Sequence, residues 1–221
     1  MARFLKVKKE TIGISPDAIT FRGEKKTDFV RIRIIDYNEK TLQEEEYSTI
    51  ADTQAYDRTK TCSWLNIDGL HDEQIMTDIS EQFDIDPLII SEVLNIDGRP
   101  KIHEYDDCIF ISLKMMYYNE EQNRISAENL SLIIKENILL SFQERVGDVF
   151  EPVRNRIRKN RKLIRSSGPD YLAFALIDIV IDNYIFILSR IGEKIEQIEE
   201  KLFEDTGVEI VNEINEYKRE I

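Results

Sequence analysis

Apolar and polar positions recur along this chain with two different periods, and the change of period divides it. Up to Gln143 the period is mostly two. Val30, Ile32 and Ile34 alternate with Arg31 and Arg33, which predicts a half-buried strand over Phe29–Tyr37. A short strand is expected at Ala18–Phe21, and Leu42–Ile50, rich in Glu, reads as an edge strand. Cys62–Ile67 is a strand closed by the turn pair Asp68-Gly69. Cys108–Tyr118, Ala127–Lys135 and Ile138–Gln143 are rich in β-branched and aromatic residues, and the polar connections between them predict sequential hairpins. Two helices interrupt the strands. Ile75, Met76, Ile79 and Phe83 share one helical face, and Asp86-Pro87 is a capped helix start leading to about Asn95.

After Gln143 the period becomes helical. One helix is expected over Asp148–Ile164, with Val149, Val153, Ile157 and Ile164 on its apolar side and a break at Ser166–Pro169. Asp170–Asp205 then runs without Pro and with a single Gly. Ile177, Ile181, Tyr184, Leu188, Ile191, Ile195, Ile198 and Leu202 follow at alternating intervals of four and three, while Asp178, Asp182, Ser189, Glu193, Glu196 and Glu200 form a polar line. From Val208 onward Ile210, Ile214, Tyr217 and Ile221 repeat the stripe beyond a Thr206-Gly207 turn. Two such stripes predict an antiparallel helical hairpin. The stripe is still running at Ile221, as expected of a piece of something longer. The fold class is therefore α+β or α/β/α: a mixed, partly antiparallel sheet between helical layers, followed by the hairpin. The expected domains are residues 1–165 and 166–221.

Composition narrows the chemistry. A net charge of −13 argues against a nucleic-acid binder, which needs excess Lys and Arg, and favours cationic partners. The basic run Val153–Arg165 reads as the solvated face of a helix. Cys62 and Cys108 read as reduced core thiols, and two histidines make a His-rich zinc site improbable. Tyr171–Leu188 is apolar enough to raise the question of a membrane span. Asp178 and Asp182 would roughly cancel its apolar gain at about 2.5–3.5 kcal/mol each, and Asn183 adds to the cost. The expectation is a helix that does not cross a membrane. No nucleophile elbow, Walker sequence or zinc-ligand pair is present, so an enzyme is not expected. Hard cations such as Mg²⁺ take oxygen ligands and keep waters, so one or two carboxylates hold them weakly. Asp178 and Asp182 qualify by spacing, and Glu92 by its place on the short helix. From spacing alone, a solvent-facing acid or salt-bridge partner is the better reading of each.

Four segments carry a resemblance: Trp64–His71 (WLNIDGLH), Asp86–Lys114 (DPLIISEVLNIDGRPKIHEYDDCIFISLK), Ser131–Arg158 (SLIIKENILLSFQERVGDVFEPVRNRIR) and Asp170–Leu188 (DYLAFALIDIVIDNYIFIL). In this order and spacing they resemble the cytosolic domain of the CorA magnesium channel family. The resemblance implies a homopentameric channel for Mg²⁺ that also passes Co²⁺. Its α/β/α funnel domain and acidic helical hairpin lie on the cytoplasmic side of the membrane. A stalk and two membrane spans, with a Gly-Met-Asn signature, are expected beyond this sequence and are the only membrane part. It further implies regulatory Mg²⁺ between subunits that favours the closed state. By motif, the family's ligands fall on Ser91, Glu92 and Asp178; Glu92 stands for an Asp and Ser91 for a Glu, while Asp182 rests on spacing alone. Few ligands imply millimolar affinity, as an order of magnitude. The alternatives are the cytosolic domain of the related zinc-transporting branch and an acidic scaffold for a basic protein.

Overall fold

The computed structural model describes residues 13, 15–55, 60–119, 124–204, 211 and 214–215. Seven strands form one mixed sheet: β1 (Arg31–Tyr37), β2 (Leu42–Tyr47), β3 (Cys62–Asp68), β4 (Lys101–Glu104), β5 (Ile109–Asn119), β6 (Arg124–Lys135) and β7 (Ile138–Gln143). Their order is β2-β1-β3-β7-β6-β5-β4. The pairs β1–β2, β1–β3, β4–β5 and β6–β7 are antiparallel, and the central β3–β7 pair is parallel. Five α-helices and one 3₁₀ helix (Ala51–Ala55) complete the elements among the described residues: α1 (Glu73–Gln82), α2 (Pro87–Val93), α3 (Glu151–Arg158), α4 (Lys162–Ser166) and α5 (Pro169–Glu204).

The chain separates into two compact units. One comprises Met1–Lys114 and Glu128–Leu176, the other Met115–Ala127 and Ile177–Ile221. In the first unit every residue of β3 is buried, as expected of a central strand covered on both faces. Leu65 and Ile67 join the core formed with Met76 and Ile79 of α1 and Ile89, Ile90 and Val93 of α2. Trp64, one residue out of phase with Leu65, meets Phe150 edge-on at 6.1 Å, and its Nε1 donates to Ser141 Oγ at 2.8 Å. Helices therefore lie on both faces of the sheet, which makes the α/β/α sandwich. Gly69, at φ +95°, turns the chain out of β3; an added Cβ there would lie 2.8 Å from the Thr27 methyl.

Four expectations are corrected. Ala18–Phe21 is not a strand: it follows an irregular path, with Phe21 N–H donating to Glu73 Oε1 at 3.2 Å. β4 was not expected, because its four residues KIHE are all exposed and offer no apolar face. The helix expected over Asp148–Ile164 is two, α3 and α4, separated where Asn160 takes φ +52°. The fourth concerns α5, which is one helix of 36 residues, roughly 54 Å long. Leu172, Ala173, Ala175 and Leu176 are buried in the first unit, and Val180, Ile187 and Ile198 in the second. Of the stripe expected to be buried, only Ile198 is. Ile181, Leu188, Ile195 and Leu202, each seven residues from the next, are exposed by 48%, 65%, 43% and 36%. The polar line from Asp178 to Glu200 is exposed as expected. The second hairpin arm, Val208–Ile221, lies almost entirely outside the described residues.

By length and apolar content α5 could cross a membrane. Its first turns instead contribute to the packed core of the first unit. Asn183 donates from Nδ2 to the Met116 carbonyl at 2.9 Å in the second unit. Three arginines of the basic run are committed within the fold, while Lys159 and Arg161 are exposed. Arg154 forms a two-pronged pair with Asp148, both side chains nearly fully buried, and its guanidinium lies 4.9 Å from the Trp64 ring centroid. Arg158 donates to both Glu44 oxygens at 2.8 and 2.7 Å. Arg165 donates to the carbonyls of Asn38, Thr41 and Ile157. Cys62 and Cys108 are buried free thiols.

Candidate metal site

The short helix α2 is fixed by its first residues. Asp86 accepts from the Leu88 N–H at 2.8 Å, and Pro87 supplies a backbone already set for the first turn. Ile89, Ile90 and Val93 then enter the core, which leaves Glu92 half-buried at the rim with its carboxylate able to reach solvent. Ser91 is buried.

Both residues meet cations of the same unit. Lys101, at the start of β4, places Nζ 2.6 Å from Glu92 Oε2 and 5.6 Å from the Phe110 ring centroid. Asn95–Gly98 forms the turn that brings it there, with the Gly98 N–H donating to the Asn95 carbonyl at 3.0 Å. Arg22 donates from Nη2 to Ser91 Oγ at 3.3 Å. Its backbone N–H bonds the Leu94 carbonyl at 3.3 Å, so the irregular segment lies across the end of α2. Gly23 lies close to Ile96 there: an added Cβ would stand 2.5 Å from Ile96 Cδ1, which would have to shift. The charge of Glu92 is felt nearby. The Tyr105 phenol is pushed up, first by burial and then by the negative charge of Glu92.

Asp178 and Asp182 stand one turn apart on the exposed side of α5, in the second unit. Glu92 and Ser91 belong to the first. Glu92, Asp178 and Asp182 have the hard-oxygen chemistry that Mg²⁺ takes. Ser91 fits less well, because its hydroxyl oxygen already accepts from a guanidinium. Among the described residues no three His, Cys, Asp or Glu side chains converge as a metal cluster. A cavity of about 230 Å³ elsewhere in the first unit is bordered by Asp84, Lys135 and Glu136. Its cation is committed, since Lys135 Nζ pairs with Asp107 Oδ2 at 2.7 Å and bonds the Asp84 carbonyl.

Sequence reasoning missed Arg22 and Lys101. Lys101 follows Glu92 closely, and the Gly98-Arg99-Pro100 turn was a usable signal that the chain doubles back. Arg22 is 69 residues from Ser91 and carried no local signal.

A mixed seven-stranded sheet under helices, running on into a long helix with an acidic face, is the fold class that the resemblance to the CorA family implied. Residues 59–221 match the family model described as CorA-like Mg²⁺ transporter protein, and the chain belongs to that family. It is 34% identical over 209 residues to the cobalt/magnesium transport protein CorA of Thermotoga maritima, covering 95% of this chain and 59% of that protein. The fold is similar to that of the soluble domain of CorA from Methanocaldococcus jannaschii, with a TM-score of 0.63 and 19% identity over 85% of this chain and 70% of that one. It is also similar to the ZntB cytoplasmic domain from Vibrio parahaemolyticus, with a TM-score of 0.52 and 16% identity over 83% of this chain and 70% of that one. The chain thus spans little more than half the length of its Thermotoga relative.

Proposed function

We propose that this chain is the cytosolic, Mg²⁺-sensing domain of a pentameric CorA-type channel for Mg²⁺ and Co²⁺. The observation that carries this reading is the family match over residues 59–221, supported by the 34% identity to a cobalt/magnesium transporter. In this reading residues 1–165 form the funnel domain and residues 166–221 the acidic hairpin that leads toward the membrane part. Glu92 and Asp178 supply carboxylate oxygens to Mg²⁺ between neighbouring subunits, Asp182 lies close enough in sequence to assist, and Ser91 is the weakest of the four. The ion closes the channel because it binds the closed ring better than the open one; a ligand shifts an equilibrium only by its differential affinity for the two states. The domain carries no catalytic step.

The likeness to a ZntB cytoplasmic domain favours one second reading, the zinc-transporting branch. Ion flux through the full-length protein in vesicles separates the two. Mg²⁺ and Co²⁺ uptake that falls as internal Mg²⁺ rises is the expected result. Uptake of Zn²⁺ with no Mg²⁺ current would replace the first reading with the second.

A further inference from the structure

The end of α2 carries Ser91 and Glu92 of the proposed metal position, and it is also where two cations of this chain already sit. Lys101 Nζ contacts Glu92 Oε2 at 2.6 Å, and Arg22 Nη2 contacts Ser91 Oγ at 3.3 Å. Neither arrangement is a chance reach of a loose side chain. Lys101 begins a strand paired with β5 through Lys101–Ser112, and its ammonium also lies over the Phe110 ring. Arg22 is delivered by a backbone bond to Leu94 and by the close Gly23–Ile96 approach. Its Nε is buried without a hydrogen-bond partner, so the guanidinium is held there at some cost.

We propose that Arg22 and Lys101 are internal counter-cations that compete with a divalent ion for the Ser91–Glu92 position. This inference rests on Glu92 being a metal ligand. A carboxylate paired with an ammonium must exchange it for the incoming ion, and the displaced positive charge remains nearby and repels that ion. At Ser91 the exchange is weaker still, since a neutral hydroxyl competes poorly with water for Mg²⁺ while it accepts from Arg22. The position is therefore tuned toward weak binding. Occupancy requires high Mg²⁺, and the threshold is set by Lys101 as much as by the acids.

The test is Mg²⁺ titration of the full-length protein at constant ionic strength, read by protection from limited proteolysis, with unfolding in metal-free buffer as a check on folding. Lys101→Gln should tighten Mg²⁺ binding about two- to fivefold, the range that loss of one half-exposed pair allows. Lys101→Arg, which keeps the charge, should leave affinity as in the parent chain. Glu92→Gln should weaken this binding several-fold. Weakening with Glu92→Gln but no gain with Lys101→Gln overturns the role of Lys101 and leaves Glu92 a ligand. Unchanged binding in Glu92→Gln overturns both.

Discussion

At the scale of single residues, part of the charge that looked available for function is committed to the fold. Arg158 joins α3 to β2 through Glu44, and this guanidinium holds the Glu44 carboxyl below its ordinary value of 4.5 while burial works against it. A carboxylate whose pKa is lowered on folding stabilises the native state above its unfolded pKa and loses that contribution as pH falls through the folded value. Glu44→Gln should therefore cost up to about 1 kcal/mol at pH 7, in the range of partly exposed pairs. At a pH below the folded value, where Glu44 is uncharged like Gln, the cost should largely vanish. Urea unfolding at the two pH values reads it, and an equal cost at both would show that charge is not the cause. The buried Arg154–Asp148 pair is a different case, because removing one partner strands the other charge in the core. That pairing was invisible in the sequence: VRNRIRKNRKLIR reads as a positive surface, and nothing local marks Arg154 as stacked on Trp64. Lys101 and Arg22 escaped notice for the same reason, since a countercharge is defined by three-dimensional neighbours.

Among the elements, what could be read locally was read well. The Asp86-Pro87 start of α2, the strands β1, β2, β3, β5, β6 and β7, and the onset of α5 at Pro169 all follow from period and turn chemistry. Short exposed β4 has no such pattern, and the break between α3 and α4 depends on a left-handed Asn. The phase of α5 is the instructive difference. From Tyr171 to Leu188 apolar residues surround most of the helix, so two overlapping stripes fit the pattern, and the one with the cleaner heptad stays largely exposed. The buried phase passes through Asn183, which periodicity discards as polar although its amide satisfies the Met116 carbonyl. Adjacent substitutions test this phase. Ile187→Ala, at a 3% exposed position, should destabilise by about 2–4 kcal/mol. Leu188→Ala, at a 65% exposed one, should stay within about 0.5 kcal/mol. Equal costs in denaturant unfolding of the pair would contradict the assigned face.

For the whole molecule, a net charge of −13 and an acidic exposed face on α5 suit a domain whose partners are cations. The resemblance visible in four sequence segments agrees with the family match and with the fold. The proposed metal residues are a harder matter, because Glu92 and Asp178 belong to different compact units and the proposed ion lies between subunits. No spacing within one chain encodes such a site. Its most direct test is limited proteolysis of the full-length protein across a Mg²⁺ titration, comparing the parent with Asp178→Asn. Millimolar Mg²⁺, on the order expected for few carboxylate ligands, should protect the parent protein, and Asp178→Asn should need several-fold more Mg²⁺ for the same protection. Protection by Mg²⁺ that is identical in the two proteins would contradict the role of Asp178, and a parent protein indifferent to Mg²⁺ would contradict the sensing function itself.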